Sequence, residues 1–411
     1  MGEIMKQKIW YLISFVTVLF VLILGLSLYK LNPRNYLNDK QSFIYANENI
    51  GKKNYNEVDN FFKKINVQVD ENELKTIKNN VNNFYMVTYD PFIKPEKDFT
   101  CIIDLRRWYY KFFLEYDEYF NKEDNYYVLK DEILKKIREK GVYVEKIYMI
   151  PHRGNFLLST SKKVILNQIE NVDYQNNETI KILDQHKTEN LGVFIVNFKK
   201  DSFYNFKNIY MAVNYKNNEM NPKLYLSFTH NKSEVNVGNE NRKLLKYIKE
   251  NRVYVYNNDF YNIFSTFTSA LKIESQYMFL MNFLKINAGV EISKLLEDID
   301  KELVYDIITG QGIIKLKNEE NVKNLINNLE KSSIKINTPL KLKDNSLYIG
   351  EGELSEVSSQ KIKLKNNQSF YLDYTDGEEK IKIENYSLDG GAEINIKLND
   401  KVLENIIEKS K

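Results

Sequence analysis

The residues of this chain that could do chemistry each fall short of what that chemistry needs. The stretch "YDIITGQGIIKLKNEENVKNLINNL", Tyr305 to Leu329, sets Gly310 and Gly312 after an apolar run and before a helix-like one. A dinucleotide fingerprint needs a third glycine three residues on. It also needs a helix opening straight from the turn, so that its free amides face a phosphate. The third position is Lys315, and "IIKLK" reads as another strand, so the stretch is expected to be a hairpin turn. A P-loop would need Gly-Lys-Ser/Thr, which does not follow.

The three histidines are no better placed. His152 precedes Arg153-Gly154 at a turn, His186 lies in a polar stretch, and His230 ends "LYLSFTH". None has a second histidine at metal-ligand spacing, and no Gly-x-Ser-x-Gly elbow appears. A triad assembled from distant residues stays open, because its members need only meet in space. Cys101, the single cysteine, excludes an intrachain disulfide and a four-thiolate metal site. Inside "FTCIIDL" it reads as a small buried hydrophobe. In "LLEDIDKEL", Glu297, Asp298, Asp300 and Glu302 are expected on a solvated helix, without the alternating oxygens and central glycine of a calcium loop. "DLRRWYYKFF" is expected to be a core stripe at helical spacing, with Arg106 and Arg107 reaching to solvent. No catalytic, cofactor-binding or metal-ligating residue is therefore expected, and no cofactor.

One apolar stretch carries a sharper possibility. "SQYMFLMNFLKINAGV" (Ser275–Val290) has apolar residues on more than one face of a helix. That pattern is expected of a fully buried helix. The alternative is an adaptable surface for an apolar ligand or a partner helix, formed by Met278, Phe279, Met281 and Phe283.

The strongest positional signal is N-terminal. "IWYLISFVTVLFVLILGLSLY" (Ile9–Tyr29) is 21 residues without a charge. At about 1.5 Å per residue it spans roughly 31 Å, the thickness of a hydrocarbon core. Trp10 and Tyr11 at one end and Tyr29 at the other suit the two interfaces. No small-residue cleavage site follows, so an uncleaved transmembrane anchor is expected. Residues 1–40 carry five cations and two anions and so hold the whole net charge of +3. The remainder is balanced and shows no basic stripe, against a nucleic-acid partner. Lys6 and Lys8 nearly balance Lys30 and Arg34 across the span. Orientation therefore follows the large following domain, which is expected outside the cytoplasm.

The rest alternates strand and helix periods. "FTCIIDLRRWYYKFF", "RVYVYNNDFYNIFSTF" and "EINIKLNDKVLENII" each read as a strand, an Asn/Asp start signal and an amphipathic helix. "FIYANENIGKKNYNEVDNFFKKI" (Phe43–Ile65) is a further candidate copy of that start. "KIYMIPHRGNFLLSTSKKVILNQI" aligns in pattern with the Gly310 stretch, Gly154 falling 158 residues before Gly312. The expected fold is α+β: a single transmembrane helix, then duplicated antiparallel sheets backed by helices. Its expected segments are a tail (1–8), the anchor (9–29), a linker (30–42), a first α+β unit (43–190) and a second (191–411).

A single anchor followed by such units resembles bacterial membrane-anchored, duplicated extracytoplasmic domains of unknown function. The segment "LLEDIDKELVYDIITGQGIIKLKNEENVKNLINNLEK" (Leu295–Lys331) carries the resemblance. It implies an extracytoplasmic α+β domain and transfers no functional residue. The expected function is binding or scaffolding at a bacterial inner membrane. The expected partners are the bilayer, through residues 9–29, and an envelope protein. The alternatives are an envelope carrier or chaperone for a lipid or other apolar ligand, and a hydrolase with an unrecognised site.

Overall fold

The computed structural model describes residues 30–38, 40–53, 55–64, 71–89, 99–106, 118–139, 144–172, 177–198, 206–228, 237–260, 274–289, 291–331, 338–357 and 362–410. The expected anchor, with Trp10, Tyr11 and Tyr29, lies outside them, as do Trp108, Phe112 and His230. Among the described residues no helix is long and apolar enough to cross a membrane, which says nothing of a β-barrel. The chain divides into two compact units, residues 1–59 with 68–197 and residues 60–67 with 198–411.

In chain order the first unit contains β1 (Phe43–Asn47), the start of α1 (Tyr55–Lys64), α2 (Glu71–Asn80), β2 (Val81–Thr88) and β3 (Phe99–Leu105). Then come β4 (Phe120–Glu123), β5 (Tyr126–Leu129), α3 (Asp131–Glu139), β6 (Tyr148–His152), β7 (Asn155–Ser159), α4 (Lys162–Glu170), α5 (Asn177–His186) and β8 (Gly192–Asn197). These strands form an antiparallel sheet in the order β8-β1-β2-β3-β7-β6-β5-β4. Alternation builds it: in β3, Thr100, Ile102 and Asp104 are buried while Phe99, Cys101 and Ile103 are half-buried. Arg153-Gly154, both at positive φ (42° and 83°), close β6 onto β7 in the twist a two-residue hairpin prefers.

The second unit contains β9 (Phe206–Lys216), β10 (Glu219–Phe228), β11 (Arg252–Tyr256), α6 (Glu274–Ala288), α7 (Ile292–Asp298), β12 (Ile299–Asp306), β13 (Gly312–Leu316) and α8 (Glu320–Lys331). It closes with β14 (Leu340–Leu342), β15 (Ser346–Ile349), β16 (Gln368–Asp376), β17 (Glu379–Leu388), β18 (Gly391–Asn399) and α9 (Asp400–Ser410). Its antiparallel order is β9-β10-β18-β17-β16-β11-β12-β13-β15-β14. Its core gathers Leu244, Leu245 and Ile248 with Tyr254, Tyr256, Val304, Ile313, Leu354, Leu364 and Tyr371. A second cluster joins Leu316, Val322 and Leu347 beneath α7 and α8.

Both units contain the same six-strand run: β8-β1-β2-β3-β7-β6 in one and β16-β11-β12-β13-β15-β14 in the other. The spatial match differs from the spacing read in the sequence. The hairpin at Gly154 occupies the place of β14–β15, and the hairpin at Gly312 occupies the place of β2–β3. Hairpin-then-helix recurs in both, so pattern alone does not separate the two correspondences.

Residues 30–42, expected as a linker, belong to the core of the first unit. Leu31, Tyr36, Leu37, Asn38 and Gln41 are buried. The reason is long-range pairing: Gln41 Nε2 donates to Gln168 Oε1 (3.1 Å) and Asn155 Nδ2 to the Leu31 carbonyl (2.9 Å). Polar side chains that a sequence reading assigns to solvent here satisfy buried carbonyls.

Candidate interaction surface

The Gly310 stretch is a hairpin turn between β12 and β13. Asp306 organises it, accepting from the Ile308 and Thr309 amides (3.2 and 3.1 Å) while its own amide donates to the Gln311 carbonyl (2.7 Å). Gly310 takes φ 69°, a conformation costly to other residues. The Asp306 carboxylate also accepts from Arg252 Nε at 2.9 Å, both side chains being buried. Arg252 also donates from Nη1 to the carbonyls of Tyr247 and Ser355 and from Nη2 to Ser355 Oγ. A glycine pair that might have cradled a phosphate is held by its own neighbours.

The other candidate groups are similarly committed. Burial pushes the Cys101 thiol up to about 12, which leaves little nucleophilic thiolate at neutral pH. Tyr36 Oη lies 2.8 Å from His152 Nδ1 and donates to the His152 carbonyl at 3.2 Å. His186 is buried at the end of α5, 4.0 Å from Glu189. The acidic run is not one helix: α7 ends at Asp298 and β12 begins at Ile299. Alternation along β12 then turns Glu302 into the core, where it accepts from Tyr254 Oη (2.9 Å) and the Lys243 amide (2.8 Å). Desolvation raises its pKa, against these hydrogen bonds. Among the described residues no group of three His, Cys, Asp or Glu could hold a metal ion.

Two buried ionic sites escaped the sequence reading. In the first unit Arg34 donates from Nε and a terminal nitrogen to Glu48 (2.7 and 2.5 Å), and Tyr85 Oη donates to the same carboxylate (2.5 Å). The Glu48 hydrogen bond raises the Arg34 pKa despite burial. Beside it, burial pushes the Lys53 ammonium down to about 8 while its Nζ donates to Asn47 Oδ1 at 2.6 Å. In the second unit Arg242 donates to the Gln368 and Asn366 carbonyls (2.8 and 2.9 Å) and lies over the Tyr256 ring at 4.8 Å. Both networks fix the strands that carry them, and Arg34 also reaches the exposed Asp184 at 2.8 Å.

An open pocket of about 640 Å³ in the second unit is lined by Asn217, Glu219, Glu378, Lys380, Asp400 and Glu404, among others. It sits where the β9–β10 and β16–β17 turns meet the start of α9. Its polar lining does not suit an acyl chain.

The apolar helix α6 is the outlier. The expectation of a fully buried helix does not hold: Phe279 is 74% exposed, Ile286 81%, Met278 54%, Leu280 50% and Phe283 48%. Tyr277 and Met281 are half-buried on the other side. At 100° per residue, Phe279, Phe283 and Ile286 fall within one stripe, spaced i, i+4, i+7. The C-terminal end is tied down. Lys285 and Lys294 both bind Glu291 (2.7 and 2.6 Å), and Asn328 of α8 donates to the Gly289 carbonyl (3.4 Å). The helix is therefore apolar on both sides, and among the described residues the side carrying Phe279 and Ile286 is the more exposed.

No protein-family model matches the chain, and no curated protein does. Crystal structures of TP0453 are among those to which the chain is similar. Form I has 8% identity over 79% of this chain and 93% of that one, with a TM-score of 0.31. Form IV has 11% identity over 48% of this chain and 81% of that one, with a TM-score of 0.29.

Proposed function

We propose that the chain is a non-catalytic, single-pass membrane protein of a bacterial envelope. Residues 9–29 anchor it, its α+β units lie outside the cytoplasm, and α6 binds a protein partner there. The observation that carries this reading is the exposed stripe of α6. Large apolar side chains gathered on one exposed helix mark interaction surfaces more often than idle ones. The i, i+4, i+7 spacing of Phe279, Phe283 and Ile286 is the form in which one helix enters an apolar groove of another protein. Lys285, the one charge among residues 275–286, is neutralised by Glu291, so the stripe offers little to an ionic partner. The shared six-strand run is read as an internal duplication, in which β1–β3 correspond to β11–β13.

The test has two parts. Protease added to spheroplasts should digest the large domain, whereas a domain cut only after lysis would refute the topology. Full-length protein isolated from its native membrane should bring a stoichiometric protein partner that a Phe279→Asp, Ile286→Asp variant loses. Retention of the partner by that folded variant would refute α6 as the binding face.

A further inference from the structure

We infer that the first unit is seated directly on the bilayer, with the sheet end carrying Arg106, Arg153 and Lys52 against anionic phospholipid headgroups. The inference rests on the anchor reading for residues 9–29 and deepens it from a tether of unspecified reach to a fixed docking face. What carries it is the absence of slack between the expected span and the fold. Lys30, one residue after Tyr29, is already pinned. Lys30 Nζ binds Asp104 Oδ1 at 2.6 Å and donates to the Leu105 carbonyl at 3.1 Å. The Leu31 amide donates to the Arg153 carbonyl at 2.9 Å, and Leu31 itself is buried. A Cβ on Gly154 would stand 2.9 Å from Lys30 Cγ, so the β6–β7 turn packs on the entering chain.

Consecutive Cα atoms are about 3.8 Å apart, so the pinned Lys30 stands no further than that from the end of the span. A bilayer of roughly 40–45 Å with a core of about 30 Å leaves a headgroup layer of about 5–7 Å on each side. The groups bonded to Lys30 and Leu31 are therefore at that layer or just above it. The same sheet end presents cations. Arg153 is exposed at the tip of its turn. Arg106 follows the Leu105 carbonyl that binds Lys30, and its guanidinium lies against Gly51, so that Lys52 is next to it. Arg106 and Lys52 are also exposed, and none of the three has an ion pair among the described residues. Two carboxylates beside the entering chain, Asp104 and Glu48, are paired with Lys30 and Arg34, and Arg34 also pairs with Asp184. The three exposed cations form a basic cluster, and such clusters beside a span attract anionic lipid over about one Debye length.

The experiment uses the full-length chain with Cys101→Ser, reconstituted in vesicles of phosphatidylcholine with phosphatidylglycerol and a nitroxide-headgroup lipid. A fluorophore is placed on Arg153→Cys or, as the distant control, on Lys163→Cys. Lys163 is exposed just past the far end of β7, roughly 16 Å away at about 3.3 Å per residue. Headgroup quenching at position 153 should exceed that at 163 several-fold. In Lys52→Gln, Arg106→Gln protein the excess should shrink in phosphatidylglycerol vesicles towards its value in pure phosphatidylcholine. Alkaline washing separates the two levels of failure. Protein that washes off the vesicles would overturn the anchor and this inference with it. Protein that stays bound but is quenched equally at 153 and 163 would overturn the seating alone. An excess at 153 that ignores both the phosphatidylglycerol and the two substitutions would overturn the headgroup contact.

Discussion

Phe279→Asp distinguishes a binding helix from a core helix, and the structure sets the size of the effect. A phenylalanine side chain buries on the order of 200 Å² when fully enclosed. Phe279 is 74% exposed, which leaves about a quarter of that, roughly 50 Å², to lose. At about 25 cal/mol per Å² the loss is about 1.3 kcal/mol. Asp and Phe differ little in helix propensity, so backbone terms add only tenths. Leu316→Ala is the internal control, because Leu316 is buried with Val322 and Leu347 in the same unit. Its cavity should cost about 2–5 kcal/mol. Urea unfolding of the full chain, followed by far-UV circular dichroism, reads both variants in the same transition. A loss of more than about 3 kcal/mol for Phe279→Asp, in the range of Phe→Ala core truncations, would show that the side chain is enclosed and would remove the basis for a docking stripe.

Other groups give further expectations. Glu48→Ala strands Tyr85 Oη and half of the Arg34 fork in a buried site, and should destabilise the first unit by about 2–4 kcal/mol in the same unfolding assay. The Lys53 ammonium is pushed down to about 8 by burial, so between pH 8 and about 10 the unfolded chain binds more protons than the folded one. Stability should rise across that window, and Lys53→Met should flatten the rise; an unchanged slope would contradict the burial. Asp306 is held below the usual carboxylate range: desolvation opposes this, and Arg252 and the Thr309 amide prevail. Its contribution is therefore present above the unfolded value of about 4 and lost as pH falls through the lower folded value, a loss that Asp306→Asn should abolish in an acid titration. Cys101, with its thiol pushed up to about 12, should resist a disulfide reagent at pH 8 in the native chain and react on unfolding.

What could be read from the sequence was local. The hairpin at Gly310 and the Asn399 start of α9 rest on contacts a few residues apart. Asn399 Oδ1 does accept from the Val402 amide at 3.3 Å. What could not be read was fixed by partners far along the chain. Arg34 reaches Asp184, 150 positions away, and Asn155 reaches Leu31, so a polar segment that looks like a linker becomes core. Glu302 was misplaced because a short helix hands over to a strand at Ile299, and a one-residue change of period decides which side chains turn inward. The helix α6 is ambiguous in the sequence for a different reason. A stretch apolar on two faces has the same composition whether its second face is covered by its own fold or waits for a partner. Only the exposures of Phe279 and Ile286 separate the two cases.

The most direct test of the central claim is in-cell photocrosslinking from a benzoyl-phenylalanine at position 279 of the full-length protein, with the same probe at Lys163 as reference. Adducts to one envelope protein from position 279, lost in an Ile286→Asp background and missing from position 163, are the predicted result. Adducts to lipid alone, or the same adducts from both positions, would contradict a protein-binding role for α6.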